Sequence, residues 1–227
     1  MHVRYLRIII IPLIGSSLLY LSACTSPKHY QVYQDNKRVE NAGPFATDKL
    51  LDEFETTERV LHILEKATGC LNKGEFISKE TFRSIIGICS DFTNKRHQEM
   101  EDRVIFPFLK SIRGSEKKDF LGRLLMDHVS ARDMIREISE SINTIYQGKK
   151  AKKKFTKTVN AYLKHVRKHI QIEKKVLFSW INKVLDHEEQ LILIDKCNEK
   201  EREFIQAGMY EKYTAMIEKL EEQPLCP

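Results

Sequence analysis

The chain has 227 residues, of which 41% are hydrophobic and 31% charged, a balance that suits amphipathic helices around one core plus a tail. Nine Gly and six Pro are few, so turns are scarce and elements should be long. The formal net charge is +6; Arg4 and Arg7 fall in a segment expected to be removed, and without them 36 basic residues face 32 acidic ones, too mild an excess to argue for a nucleic-acid partner.

Arg4 and Arg7 precede an apolar run over residues 8–21, short for a membrane span of ~20 apolar residues. The run closes in Leu21-Ser22-Ala23-Cys24, which resembles a bacterial lipoprotein signal. That resemblance implies cleavage before Cys24, lipidation of its thiol, and anchoring of the mature chain to the periplasmic face of the cell envelope by acyl chains such as palmitate. Thr25 and Ser26, with no Asp beside the cysteine, resemble the outer-membrane sorting pattern of Gram-negative bacteria. Residues 1–23 are thus read as signal peptide and 24–46 as a polar tether. Cys70, Cys89, Cys197 and Cys226 remain, with three pairings open; no CxxC occurs, and small buried or unpaired thiols are favoured over zinc ligation.

From Thr47, an expected N-cap, the pattern turns helical: Leu50, Leu51, Phe54, Glu58, Leu61 and Leu64 recur at three- and four-residue steps. Gly69 sits near the end of this helix, and Leu71-Asn72-Lys73-Gly74 reads as a turn. Ser78 opens a second helix whose inward stripe includes Phe82, Ile85, Phe92, His97, Met100, Glu101, Val104 and Phe108; Pro107 is expected to bend or end it. Ser115 is read as the cap of a third helix, which carries Leu121, Leu124, His128, Ala131, Ile135 and Ile138 and stops near Gly148. The lysine-rich junction over 149–154 reads as solvated surface. A fourth helix holds Phe155, Val159, Tyr162, Val166, His169, Glu173, Leu177 and Trp180, and one fifth amphipathic helix is expected from after Asp186 to about Glu222. No strand pattern competes. The fold class is all-α: an up-down four-helix bundle over 47–185, with an additional C-terminal helix and tail over 186–227.

His97 and Glu101 stand four residues apart, one turn on one face of a helix; His169 and Glu173 repeat the spacing, and Asp127-His128 adds a third helix. Imidazole nitrogen and carboxylate oxygen together suit iron, manganese or zinc. As surface pairs such spacings are worth only ~0.3–0.5 kcal/mol. Both lie on the apolar stripe, however, where an ionised carboxylate without a cation costs several kcal/mol.

These motifs resemble the hemerythrin-like, or HHE cation-binding, family. His97-QEM-Glu101 followed by Phe106-Pro107 stands for its second-helix motif, His128-VSA-Arg132 for the third and His169-IQI-Glu173 for the fourth; residues 201–220 are similar to a fifth helix of a bacterial branch. The resemblance implies a four-helix bundle with His97, Glu101, His128, His169 and Glu173 as metal ligands and the two glutamates as bridges. It departs at the first helix, where Phe54 stands in place of the usual His; Glu58 is the expected ligand there, with His62 and His165 as alternative ligands. Arg132 is expected as a charge partner for a buried carboxylate.

The function implied is a non-heme metal protein, di-iron by resemblance, with manganese or zinc as other options, meeting a small ligand such as O2, NO or peroxide, or handling iron. An enzyme of ferroxidase or peroxidase type is a third class. The competing reading is a metal-free bundle serving as a structural or interaction module at the membrane, which the missing first-helix His supports.

Overall fold

The computed structural model describes residues 44–227 apart from positions 115, 207, 223, 226 and 227; the signal, tether, Cys24 and Ser115 readings lie outside the described residues. Among the described residues every regular element is helical. Helix α1 is Asp48–Lys73. Helix α2 is a continuous run over 79–113, with α-helical turns at Lys79–Ile88, Gln98–Met100 and Phe106–Arg113 and wider π-helical turns at Cys89–His97 and Glu101–Ile105. Helix α3 is Lys118–Ser141, closed by a 3-10 turn at Ile142–Thr144. Helix α4 runs over 149–184, again with π-helical turns, at Glu173–Leu177. Helices α5 (His187–Gln206) and α6 (Met209–Glu222) follow.

The local chemistry explains most of the boundaries. Ser78 caps α2, its hydroxyl accepting the Thr81 N–H at 3.0 Å. Thr47 precedes α1 but makes no side-chain cap; it is buried, and its hydroxyl donates to Asn182 Oδ1 at 3.0 Å. The expected turn at 71–74 is still helix through Lys73, because Gly74 takes φ +97° and closes it with a left-handed cap. Pro107 neither ends nor breaks α2: it sits in the first turn after a π-helical stretch, where the backbone ladder is already interrupted and a missing N–H costs little. The single fifth helix expected from sequence is two, separated at Gly208, whose φ of +62° no regular helix accommodates.

Partner residues run in opposite order along neighbouring helices, as an up-down bundle requires. Between α1 and α4, Thr47 meets Asn182, Glu58 and Glu65 meet Arg167, and Asn72 meets Thr156. Between α2 and α3, Arg83 meets Asn143 and Gln98 meets Arg132. The interior between the four helices holds Phe54, Phe82, Phe92, Phe106, Phe155, Tyr162 and Ile181, each fully buried large side chain contributing roughly 1.5–3 kcal/mol. Phe106, Tyr162 and Trp180 are all buried there, as their place on the stripe predicts. Helices α5 and α6 lie against α1 and α2, tied by Gln190 to the Ala46 N–H, Glu189 to Arg113, Glu221 to Arg59 and Tyr213 to Asp91.

Cysteine usage is mixed. Cys89 and Cys197 are buried free thiols, and burial pushes both up to about 12, so neither is reactive. Cys70 is buried and disulfide-bonded, an outcome the sequence left open.

Candidate metal centre

The site forms midway along the bundle, where the π-helical turns of α2 and α4 begin or end on its residues: His97 ends one, and Glu101 and Glu173 each start one. Widened turns of this kind recur where a helix must aim a side chain off its regular spacing. Glu101, His128 and Glu173 are fully buried at 0% exposure, and His97 and His169 nearly so.

Glu101, His128, His169 and Glu173 each offer a donor atom within 4.8 Å of the others. His169 Nε2 lies 2.5 Å from Glu173 Oε1, and His128 Nε2 lies 3.3 Å from Glu101 Oε2 and 2.9 Å from His169 Nε2. His97 stands on the other side of the carboxylates, its Nε2 3.7 Å from Glu101 Oε2 and 3.8 Å from Glu173 Oε2. The two glutamates therefore stand between a pair of imidazoles and a single one.

Two of the imidazoles are hydrogen-bonded to a carboxylate from the preceding helix, and the third faces one beyond hydrogen-bond distance. Glu53 of α1 accepts from His97 Nδ1 at 2.9 Å, Asp102 of α2 accepts from His128 Nδ1 at 2.6 Å, and Asp127 of α3 faces His169 Nδ1 at 3.6 Å. A proton held on Nδ1 leaves Nε2 with its lone pair, the tautomer a metal needs, and the backing carboxylate raises its basicity. All three Nε2 atoms point inward at two carboxylates with no other polar partner for their oxygens.

Without a cation, protons take its place. Burial pushes His97 down, but Glu101, Glu173 and Glu53 outweigh it and lift the ring to about 10; His128 is lifted to about 11 by Asp102, Glu101 and Glu173 against the same burial. Burial and the neighbouring Glu173 charge raise Glu101. Burial also pushes Glu173 up, but His169, His128 and His97 together hold it well below the usual carboxylate range. Two carboxylates and imidazoles in this state are a set that one divalent ion or two would neutralise in exchange for the protons.

A family model for the hemerythrin HHE cation-binding domain matches residues 46–181. The chain belongs to that family. No curated protein matches it. In this hemerythrin domain the structure brings His97, Glu101, His128, His169 and Glu173 together, and does not bring Glu58, His62 or His165 to them. Glu58 is exposed and pairs with Arg167 at 2.8 Å. It lies four residues beyond Phe54 on α1, on a face that α4 meets from outside rather than within. His62 is exposed, and His165 Nε2 is turned to the Asp127 carbonyl at 2.9 Å. Phe54 fills the first-helix position, its ring 4.7 Å from the His97 ring and stacked 5.5 Å from Phe178. Arg132 reaches Asp102 at 3.3 Å and Gln98 at 3.1 Å, so it steadies the carboxylate behind His128 rather than a ligand itself.

Sequence reasoning missed Glu53 and Asp102 as backing groups and gave Asp127 no role of its own. The available signal was adjacency: Asp102 follows Glu101 and Asp127 precedes His128. Residues next to each other point about 100° apart on a helix, so such a neighbour faces the adjoining helix, where the next histidine stands.

Proposed function

We propose that this hemerythrin domain binds iron as a non-heme centre, with His97, Glu101, His128, His169 and Glu173 as the protein donors, and meets a small ligand such as O2 or NO there. The observation that carries this is the set of three inward Nε2 atoms around two fully buried glutamates, with His97 and His128 hydrogen-bonded from behind by Glu53 and Asp102. Nitrogen and carboxylate donors suit iron, with manganese and zinc as the competing ions. Bound iron supplies redox change and an open coordination position.

The placement of the glutamates between His128–His169 and His97 supports two ions of unequal affinity. One side offers two imidazoles and the other only one, because Phe54 stands where a further donor would be. The protein's own part is to hold the donors, keep the protons of His97 and His128 on Nδ1 through the accepting Glu53 and Asp102, and exclude bulk water. Full burial of Glu101, His128 and Glu173 limits what reaches the centre to small molecules. The Leu21–Cys24 sequence supports a lipid-anchored envelope location, to be tested by fatty-acid labelling that Cys24→Ala abolishes.

The test of the centre is elemental analysis of protein purified without chelator, joined to absorbance spectra in air and after reduction. Iron at one to two equivalents that falls away in a His128→Ala, Glu173→Ala double variant supports the reading. Folded protein that takes up no metal would leave the other reading, a metal-free structural bundle, which Phe54 favours.

A further inference from the structure

The family match ends at residue 181, yet a buried carboxylate from beyond it reaches toward the centre. Glu201 on α5 is 6% exposed and accepts from Arg96 Nη2 at 2.5 Å. The same Nη2 lies 3.1 Å from Glu53 Oε1, and the other oxygen of Glu53 accepts from His97 Nδ1. The guanidinium is clamped between the rings of Phe92 on α2 and Phe204 on α5, 4.9 and 5.6 Å from their centroids. Lys49 of α1 closes the outer end on Glu201. Charged groups this deep persist only when fully paired, so each member fixes the next: Glu201 divides the guanidinium's attention with Glu53, and Glu53 orients the His97 ring.

We propose that Glu201 is a positioning residue of the metal centre: through Arg96 and Glu53 it sets the ring of His97, so that docking of α5 and metal occupancy of the His97 side are one coupled equilibrium. This rests on the centre binding metal. Coupling of this kind is reciprocal: whatever α5 docking adds to metal affinity, metal adds to α5 docking. It also gives the C-terminal helix pair a part in the centre that the matched domain alone lacks. The other ties between the C-terminal helices and the bundle, such as Arg59–Glu221 at 2.6 Å, do not touch this network and serve as controls.

The experiment uses the full chain and cobalt(II) alone as probe, reading affinity by competition with a chromophoric chelator and ligand geometry by the visible cobalt bands. Groups behind a ligand typically govern metal affinity by 10–100-fold. Glu201 acts two residues further out, beyond Arg96, so Glu201→Gln is expected to weaken the weaker cobalt step by about 3–10-fold and to shift its bands, with Glu201→Asp recovering most of the loss. Glu221→Gln should leave both within twofold. In the wild type, cobalt should slow amide exchange across residues 193–206 by a comparable factor, and not in His97→Ala. Unchanged cobalt binding in folded Glu201→Gln, or equal losses in Glu201→Gln and Glu221→Gln, overturns the inference while the metal reading stands. A wild type that takes no cobalt overturns both. If Glu201→Gln does not fold, the exchange comparison between wild type and His97→Ala decides.

Discussion

Replacing Phe54 by His is the sharpest probe of the centre, because it changes stability and metal binding in opposite directions. Phe54 is 2% exposed, stacked on Phe178 and tilted against His97, with the Lys174 ammonium 5.1 Å above its ring. Exchanging the ring for a smaller, polar imidazole forfeits part of an aromatic burial and leaves a small void beside Phe178. The transfer and cavity contributions together amount to about 2–3 kcal/mol in metal-free protein, or about 5–10 °C in thermal midpoint for a domain of this size. With metal present the new imidazole adds a donor on the side where His97 stands alone. A ligand held at 100 times its dissociation constant returns about 2.7 kcal/mol, so the loss should be largely recovered. The assay is thermal denaturation of wild type and Phe54→His in chelator and in excess zinc(II), with the zinc stoichiometry measured alongside. If the variant is as stable as wild type in chelator and gains nothing extra from zinc, Phe54 is not standing in a ligand's place and the reasoning fails.

Three further outcomes are expected. Asp102→Asn should weaken metal binding about 10-fold or more while leaving the fold intact, because it loosens the partner of His128 Nδ1 rather than a donor; equilibrium dialysis against zinc(II) checks it. Glu58→Ala should leave metal content unchanged and cost no more than about 0.5 kcal/mol, since the pair is exposed and Arg167 keeps Glu65; urea unfolding and elemental analysis read the two halves. For pH, the raised His97 and His128 contribute stability to metal-free protein that is fully present below their unfolded value near 6.5 and lost as pH rises through about 10 and about 11. The metal-free thermal midpoint should therefore fall progressively from about pH 6.5 to about pH 11, and the metal-loaded one, whose imidazoles hold no Nε2 proton to lose, should not fall with it.

The helical period carried the fold. Stripes of Phe, Leu and Ile at three- and four-residue steps mark α1 to α4 directly, and the same stripes place His97, Glu101, His128, His169 and Glu173 inward. What the period could not carry is whatever departs from it. Glu58 reads as inward because it follows Phe54 by four residues, but that step overshoots a 3.6-residue turn by about 40°, so Thr57, Val60 and Leu61 stay buried while Glu58 falls outside, within reach of Arg167. The carboxylates behind the histidines are hard to read for a related reason, with adjacency to Glu101 and His128 as the one hint for Asp102 and Asp127. Each partner stands on another helix, tens of residues away, and no local spacing announces it. The split of the last helix hinges on the backbone angle of Gly208, which composition alone does not reveal.

The stretches at Glu101–Ile105 and Glu173–Leu177 carry one consequence for how this interior tolerates change. Each such stretch fits a surplus position into a rod that otherwise repeats every 3.6 residues. Deleting Val104 or Val176 would let the rod close regularly with the upstream glutamate still in place. The wider turn already absorbs that residue, so everything beyond would keep its facing and Phe106 or Phe178 would stay in the interior. A one-residue deletion just past either glutamate should therefore be better tolerated than one in a regular turn of the same helix, where everything beyond swings by about 100°.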